Sequence, residues 1–162
     1  MLRIMLGLAT LGCGLVAGFL FAFAVVVMPG IRTLGDHDFL QAFKSVDRVI
    51  QQNQPVFMLV WVGSVLALAV AVWWGVVRLE GIDRMLLVGA AVVYLLGVQG
   101  PTATVNVPLN NALQQRDLAV LAEPALREAR QAFEPRWVRW NGIRTVFAVL
   151  AFSLLLIVLM RC

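Results

Sequence analysis

Histidine is nearly absent from this sequence, cysteine is scarce and charge is thin. His37 is the only histidine in 162 residues, so imidazoles cannot build a zinc, di-iron or bis-histidine haem site. No Cys-x-x-Cys or His-x-x-x-His spacing occurs either, and no metal is expected. The two cysteines fall inside the first apolar run (Cys13) and at the last residue (Cys162). A helical rise of about 1.5 Å per residue sets them at different depths, which predicts two free thiols. Charged residues make up 14% of the chain against 61% hydrophobic, a balance that removes it from the soluble globular class. The net charge of +4 is scattered between apolar runs and forms no basic stripe, so no nucleic-acid partner is expected.

The chain does have four long apolar runs. Residues 4–28 carry no charge, and about 25 residues in a helix exceed a hydrocarbon core of about 30 Å. A cleaved signal peptide has a shorter apolar core and then a soluble domain; three more hydrophobic runs follow here, so the N-terminus is predicted to be retained. The second run, 55–77, opens on Pro55, which suits the first turn of a helix. Arg78, Glu80, Gly81, Asp83 and Arg84 are too polar for lipid and mark a tight turn into a third run, 85–105; the fourth is 142–160. Lipid cannot satisfy backbone groups, so all four must be helices. The expected architecture is all-α, a single domain over residues 1–162: an integral membrane four-helix bundle with short amphipathic helices in its two long connections. Those connections share one side, which, counting Arg144 at the mouth of the fourth run, holds nine of the 13 Lys and Arg residues, and the positive-inside rule places them in the cytoplasm.

In the first long connection, Asp38 and Gln41 have capping-box spacing, and Phe39, Phe43, Val46 and Ile50 recur at helical intervals. Such an interfacial helix either floors the bundle or covers a cavity. At its start His37 lies between Asp36 and Asp38, carboxylates that would suit it to act as a base near neutrality; a solvated turn histidine is the plain alternative. In the second, residues 117–133 read as one or two surface helices closed before Pro135.

Two constellations stand out. Pro101 and Pro108 interrupt the end of the third run, among Gln99, Thr102, Thr104, Asn106, Asn110 and Asn111. Each proline removes a backbone hydrogen bond, so the helix should kink or unwind. The polar side chains then either cap the freed carbonyls or line a cavity. Entering the fourth run, Trp137, Trp140, Asn141 and Arg144 follow at i, i+3, i+4 and i+7 and are predicted to share one face. An aromatic belt accounts for the tryptophans but not for Arg144, which must snorkel or face inward toward Asn106, Asn110 or an anion. Gly14 and Gly18 form a Gly-x-x-x-Gly pair for helix packing and for a possible homo-oligomer face. Phe19, Phe21 and Phe23 read as core or lipid-facing residues.

Taken in order, the Gly-x-x-x-Gly pair, Met28-Pro29-Gly30, Asn106-x-Pro108-x-Asn110 and Trp137-x-x-Trp140-Asn141-x-x-Arg144 resemble the anthrone oxygenase family over nearly the whole chain. That resemblance implies a four-span protein, in bacteria an inner-membrane one, that oxidises a lipophilic anthrone with O2 and uses no metal or flavin cofactor. Under it Arg144, Asn106 and Asn110 would stabilise an enolate, Trp137 and Trp140 would stack on the rings beside Asn141, and His37 is the ordinary candidate base. A non-enzymatic protein that binds a lipid, quinone or other hydrophobic ligand, or a small subunit of a membrane assembly, is the competing reading. Membrane lipid and a hydrophobic small molecule are the partners in either case.

Overall fold

The four apolar runs become four long helices in the computed structural model, which describes residues 1–162. They are α1 (Leu2–Arg32), α3 (Pro55–Arg78), α4 (Gly81–Gln114) and α5 (Glu123–Arg161), each long and apolar enough to cross a membrane. The amphipathic α2 (Asp36–Gln51) fills the first long connection, and one short 3-10 turn, Leu118–Val120, is all the second contains before α5. The molecule is all-helical and bundled, as composition predicts.

Two boundaries differ from the sequence expectation. α2 begins at Asp36 on Gly35 without a side-chain cap, so the Asp38/Gln41 capping box does not form. α5 does not stop before Pro135 but runs through it for 39 residues. An interior proline costs about 3 kcal/mol, yet packing on both sides holds this helix together. Phe133 and Trp137 flank the proline and clasp Phe43 of α2, with ring centroids 4.6 and 5.1 Å away. At about 1.5 Å per residue α5 is about 58 Å long, so its first half stands clear of a hydrocarbon layer of about 30 Å.

Three other prolines widen their helices without unwinding them, while Pro55 and Pro124 sit in first turns. Three π-helical turns occur, Phe23–Val27, Leu95–Gln99 and Thr102–Asn106, and each ends two residues before a proline: Pro29, Pro101 and Pro108. The proline ring pushes aside the carbonyl one turn back, and the extra residue in the turn absorbs the displacement. The threonines satisfy carbonyls left by this widening: Thr102 donates to the Val98 carbonyl at 2.7 Å and Thr104 to that of Gly100 at 2.8 Å.

α1 packs on both α3 and α5, and α5 on α4; of the neighbouring spans, α3 and α4 pack least. Gly12 brings α1 against Ser64, where an added Cβ would sit 2.9 Å from the serine Cβ, and Gly14 seats the Phe152 ring. Gly18 has nothing within 4 Å, so of the Gly-x-x-x-Gly pair only Gly14 is used inside the bundle. At Gly97 an added Cβ would lie 2.3 Å from Phe147 Cγ and 2.6 Å from its Cβ, and unlike the leucine methyl that faces Gly75, the phenylalanine Cβ cannot swing away. Gly97→Ala should therefore destabilise the protein by roughly 1–3 kcal/mol. Phe147→Ala removes the ring but leaves its Cβ in place, so added to Gly97→Ala it should recover part of the loss of thermal midpoint in detergent; equal midpoints for wild type and Gly97→Ala would refute the contact.

Buried apolar residues form two clusters. One lies along the membrane spans around Leu6, Cys13, Leu68, Tyr94 and Leu155. The other, around Phe39, Phe43, Leu113, Phe133 and Trp137, joins α2 to the loop-side ends of α4 and α5.

Candidate functional site

Where the two clusters meet, all five helices enclose a cavity of about 210 Å³. Phe19 and Phe23 come from α1, Phe43, Asp47 and Ile50 from α2, and Phe57, Met58 and Trp61 from α3. Thr102, Asn106 and Asn110 of α4 face Trp137, Asn141 and Arg144 of α5. The Phe19 and Phe23 rings meet 4.9 Å apart, tilted by 52°, because they are one helical turn from each other; Phe21, between them in sequence, is on the outside. The aromatic stripe thus divides, and two of its rings wall the cavity.

Helical geometry also divides the tryptophans. At about 100° per residue, Arg144 lies within about 20° of Trp137 and Asn141 within about 40°, whereas Trp140 is turned about 60° the other way. Trp137, Asn141 and Arg144 are buried and line the cavity; Trp140 is half-buried and does not. The expected shared face holds for three of the four.

Arg144 is 5% exposed and has no acidic partner. Its Nη1 donates to Thr102 Oγ1 and its Nη2 to Asn141 Oδ1, both at 3.0 Å, and the guanidinium lies 5.8 Å from the Trp137 ring centre. Nε has no protein partner at all. Asn141 in turn donates to the Leu20 carbonyl at 3.1 Å, fixing α5 to α1. The sequence expectation of Asn106 or Asn110 as partners is corrected: Thr102 and Asn141 hold the guanidinium instead.

Asn106 is 1% exposed; its Nδ2 donates to the Trp137 carbonyl at 3.4 Å, while its Oδ1 accepts nothing from the protein. Buried polar atoms are paired in all but a few cases. An unpaired donor on Arg144 and an unpaired acceptor on Asn106, lining one cavity, are therefore groups suited to a polar ligand edge.

Asn110 connects this wall to an acidic residue that sequence reasoning passed over. It accepts from Trp137 Nε1 at 2.8 Å and donates to Asp47 Oδ1 at 2.7 Å. Asp47 is 4% exposed, and its Oδ2 accepts from Gln114 at 2.8 Å and Gln51 at 2.9 Å. Three neutral amides thus position a carboxylate at the cavity without neutralising it. The signal was present in sequence, because Phe39, Phe43 and Asp47 recur every fourth residue. Val46, which the apolar spacing places on the same stripe, is 42% exposed.

His37 is not brought to the cavity. It sits at the exposed start of α2, with Nδ1 3.0 Å from Asp38 Oδ1, and lines no part of the pocket. Asp36, beside it, belongs to an ion-pair network that ties α2 to α5: Arg130 Nη1 donates to Asp36 at 3.1 Å and its Nε to Glu134 at 2.8 Å, and Glu134 also accepts from Arg32 at 2.6 Å. Burial alone would raise the Glu134 carboxyl, but the hydrogen bonds and charges of Arg130 and Arg32 hold it below its ordinary value of 4.5. A lowered folded value means stability present above pH 4.5 and lost as pH falls through the folded value. Glu134→Gln should lower the thermal midpoint at neutral pH, and the gap to wild type should close on acidification; a gap independent of pH would refute the assignment.

No three His, Cys, Asp or Glu side chains converge in a metal-holding arrangement. Residues 48–154, more than half of the chain, match the family described as anthrone oxygenase. No curated protein and no solved structure matches the chain. The matched region contains Asn106, Asn110, Trp137, Asn141 and Arg144 and begins one residue after Asp47.

Proposed function

The chain belongs to the anthrone oxygenase family, and from that premise we propose that it oxidises a lipophilic polycyclic phenol of the anthrone type with O2, in a cavity at the loop-side boundary of the membrane. The observation that carries this reading is that a buried cation with an unused donor, Arg144, and a buried carboxylate, Asp47, line one aromatic-walled cavity.

The chemistry needs a base, an oxyanion site and exclusion of water. The methylene opposite an anthrone carbonyl is acidic because its anion is an aromatic enolate. The Asp47 carboxylate takes one of its protons, and the electron pair moves to the carbonyl oxygen, where Arg144 N–H groups stabilise it. Asn106 Oδ1 accepts from a neighbouring phenolic hydroxyl, and Phe23, Trp61 and Trp137 pack on the rings. The enolate passes one electron to O2, and the resulting superoxide and carbon radical combine into a peroxide, which takes the proton from Asp47. Asp47 then removes the second methylene proton as the O–O bond breaks. One oxygen stays as the new ketone, and the other leaves as water with both former methylene hydrogens. O2 is the only oxidant in this sequence. His37 has no part in it.

The Arg and Lys excess of the long connections supports a cytoplasmic position for them, which sets the cavity at the inner leaflet. Purified protein in detergent, given emodin anthrone and oxygen, should form emodin with one O2 consumed per product. A rate equal to the protein-free background sinks the proposal. Saturable binding of emodin with that same background rate would leave a carrier of hydrophobic molecules in its place.

A further inference from the structure

Outside the cavity, on the membrane side of α2, lies a second apolar hollow that includes Ser45, Val46, Val49 and Gln54. It shares Phe19, Ile50 and Phe57 with the cavity itself, so these three apolar side chains form a partition that borders both spaces. Phe19 meets Phe57 edge to face at 5.2 Å, and Phe57 stacks on Trp61 at 5.4 Å, which makes the partition of rings and one aliphatic side chain with no polar atom to break.

α2 has no polar anchor on α1 or α3. At its start Asp36 meets Arg130 of α5, and its other polar anchors go to α4 and the turn after it: Asp47 to Asn110 and Gln114, the Lys44 carbonyl to Gln114, Gln51 to Asn111, and Lys44 to the Arg116 carbonyl. Its apolar packing is on α5 and α4, with little against α1 or α3. The edge that faces α1 and α3 is the edge where the hollow lies. Val46 and Val49, 42% and 53% exposed, put apolar surface there, on a helix whose length and position lay it along the membrane boundary.

Resting on the reading that the cavity takes a lipophilic aromatic, we propose that this hollow is a vestibule subsite through which the molecule enters from the bilayer, between α2 and the start of α3, by displacing Ile50 and Phe57. A ligand of this class partitions into lipid, so a lateral route needs no passage through water. The polar side of α2 stays docked on Asn110 and Gln114 while the molecule passes, so Asp47 and Arg144 keep their geometry. The substrate is therefore a membrane-dissolved compound, supplied by a reaction that releases its product into the bilayer.

A gate changes rates of entry and exit together and leaves equilibrium affinity alone, which a mere wall of the binding site does not. Val46→Cys is made in a Cys162→Ser background; Cys13, the other thiol, is fully buried. The protein in phosphatidylcholine liposomes is treated with a bulky methanethiosulfonate, and emodin binding is followed by stopped-flow tryptophan quenching. Modification should slow association and dissociation by about tenfold each, with Kd unchanged within about twofold, and reductant should restore both rates in the same sample. Val120→Cys, on the 77%-exposed turn residue, should show no effect. Unchanged rates in the modified Val46→Cys protein, a raised Kd with unchanged association, or no quenching by the unmodified protein would each overturn the vestibule. Turnover does not enter this measurement: slowed binding without oxidation would keep the vestibule and refute the oxygenase, and oxidation with unslowed binding would do the reverse.

Discussion

Replacing Arg144 by alanine is expected to lower the rate of emodin formation by about 10²–10³-fold, the usual effect of removing one oxyanion donor from a water-excluded site. The guanidinium is buried against Trp137 and held by Thr102 and Asn141, so its position is fixed before the enolate forms. That fixed orientation makes its interaction with developing charge larger than with the neutral ketone. Loss should therefore fall on kcat more than on KM. Arg144→Lys should recover little, because an ammonium on a flexible stem cannot hold Thr102 and Asn141 and still present an N–H to the ligand. Unchanged thermal midpoints accompanied by unchanged turnover would remove Arg144 from the chemistry.

Asp47→Asn is the second large effect, about 10²–10⁴-fold in turnover if the carboxylate is the base. The substitution keeps shape but cannot take a proton, and its amide N–H groups would meet those of Gln51 and Gln114, so some loosening of α2 is expected as well. Two readouts separate the roles. A base that is lost leaves emodin affinity near wild type, whereas an undocked α2 weakens it. With the base gone, the rate should also climb with pH as hydroxide takes over proton removal, and substrate deuterated at the methylene should react more slowly by a primary isotope effect. A variant that binds emodin normally and turns over normally would show that Asp47 only anchors the helix.

The fold was legible because uncharged runs of this length have one physical solution in lipid, and the turn at Arg78–Arg84 was marked by charges that lipid rejects. The inward face at Trp137, Asn141 and Arg144 followed from helical angles. What sequence did not disclose was decided by tertiary contacts. Pro135 looked like a terminus because its local cost is real, and the clasp of Phe43 by Phe133 and Trp137 outweighs it. Pro101 and Pro108 pointed to broken helix, but widened turns kept it continuous. His37 carries the conspicuous chemistry but stays at the exposed start of α2, while Asp47, on the stripe of α2 where an apolar residue was expected, lines the cavity. Two of the three amide partners of Asp47 lie 63 and 67 residues away on α4, a distance no local pattern bridges.

The two buried clusters are held by different forces. Inside the bilayer, Leu6, Leu68 and Leu155 gain nothing from leaving water, so that half depends on close packing such as Gly97 against Phe147. The loop-side half, built on Phe39, Leu113 and Phe133, is an aqueous core and depends on the hydrophobic effect. Urea acts on the second force far more than on the first. Titrated with it, the protein should lose its active cavity at a concentration that leaves the spans inserted and the circular dichroism almost intact, so that inactivation marks the undocking of α2 rather than denaturation of the chain.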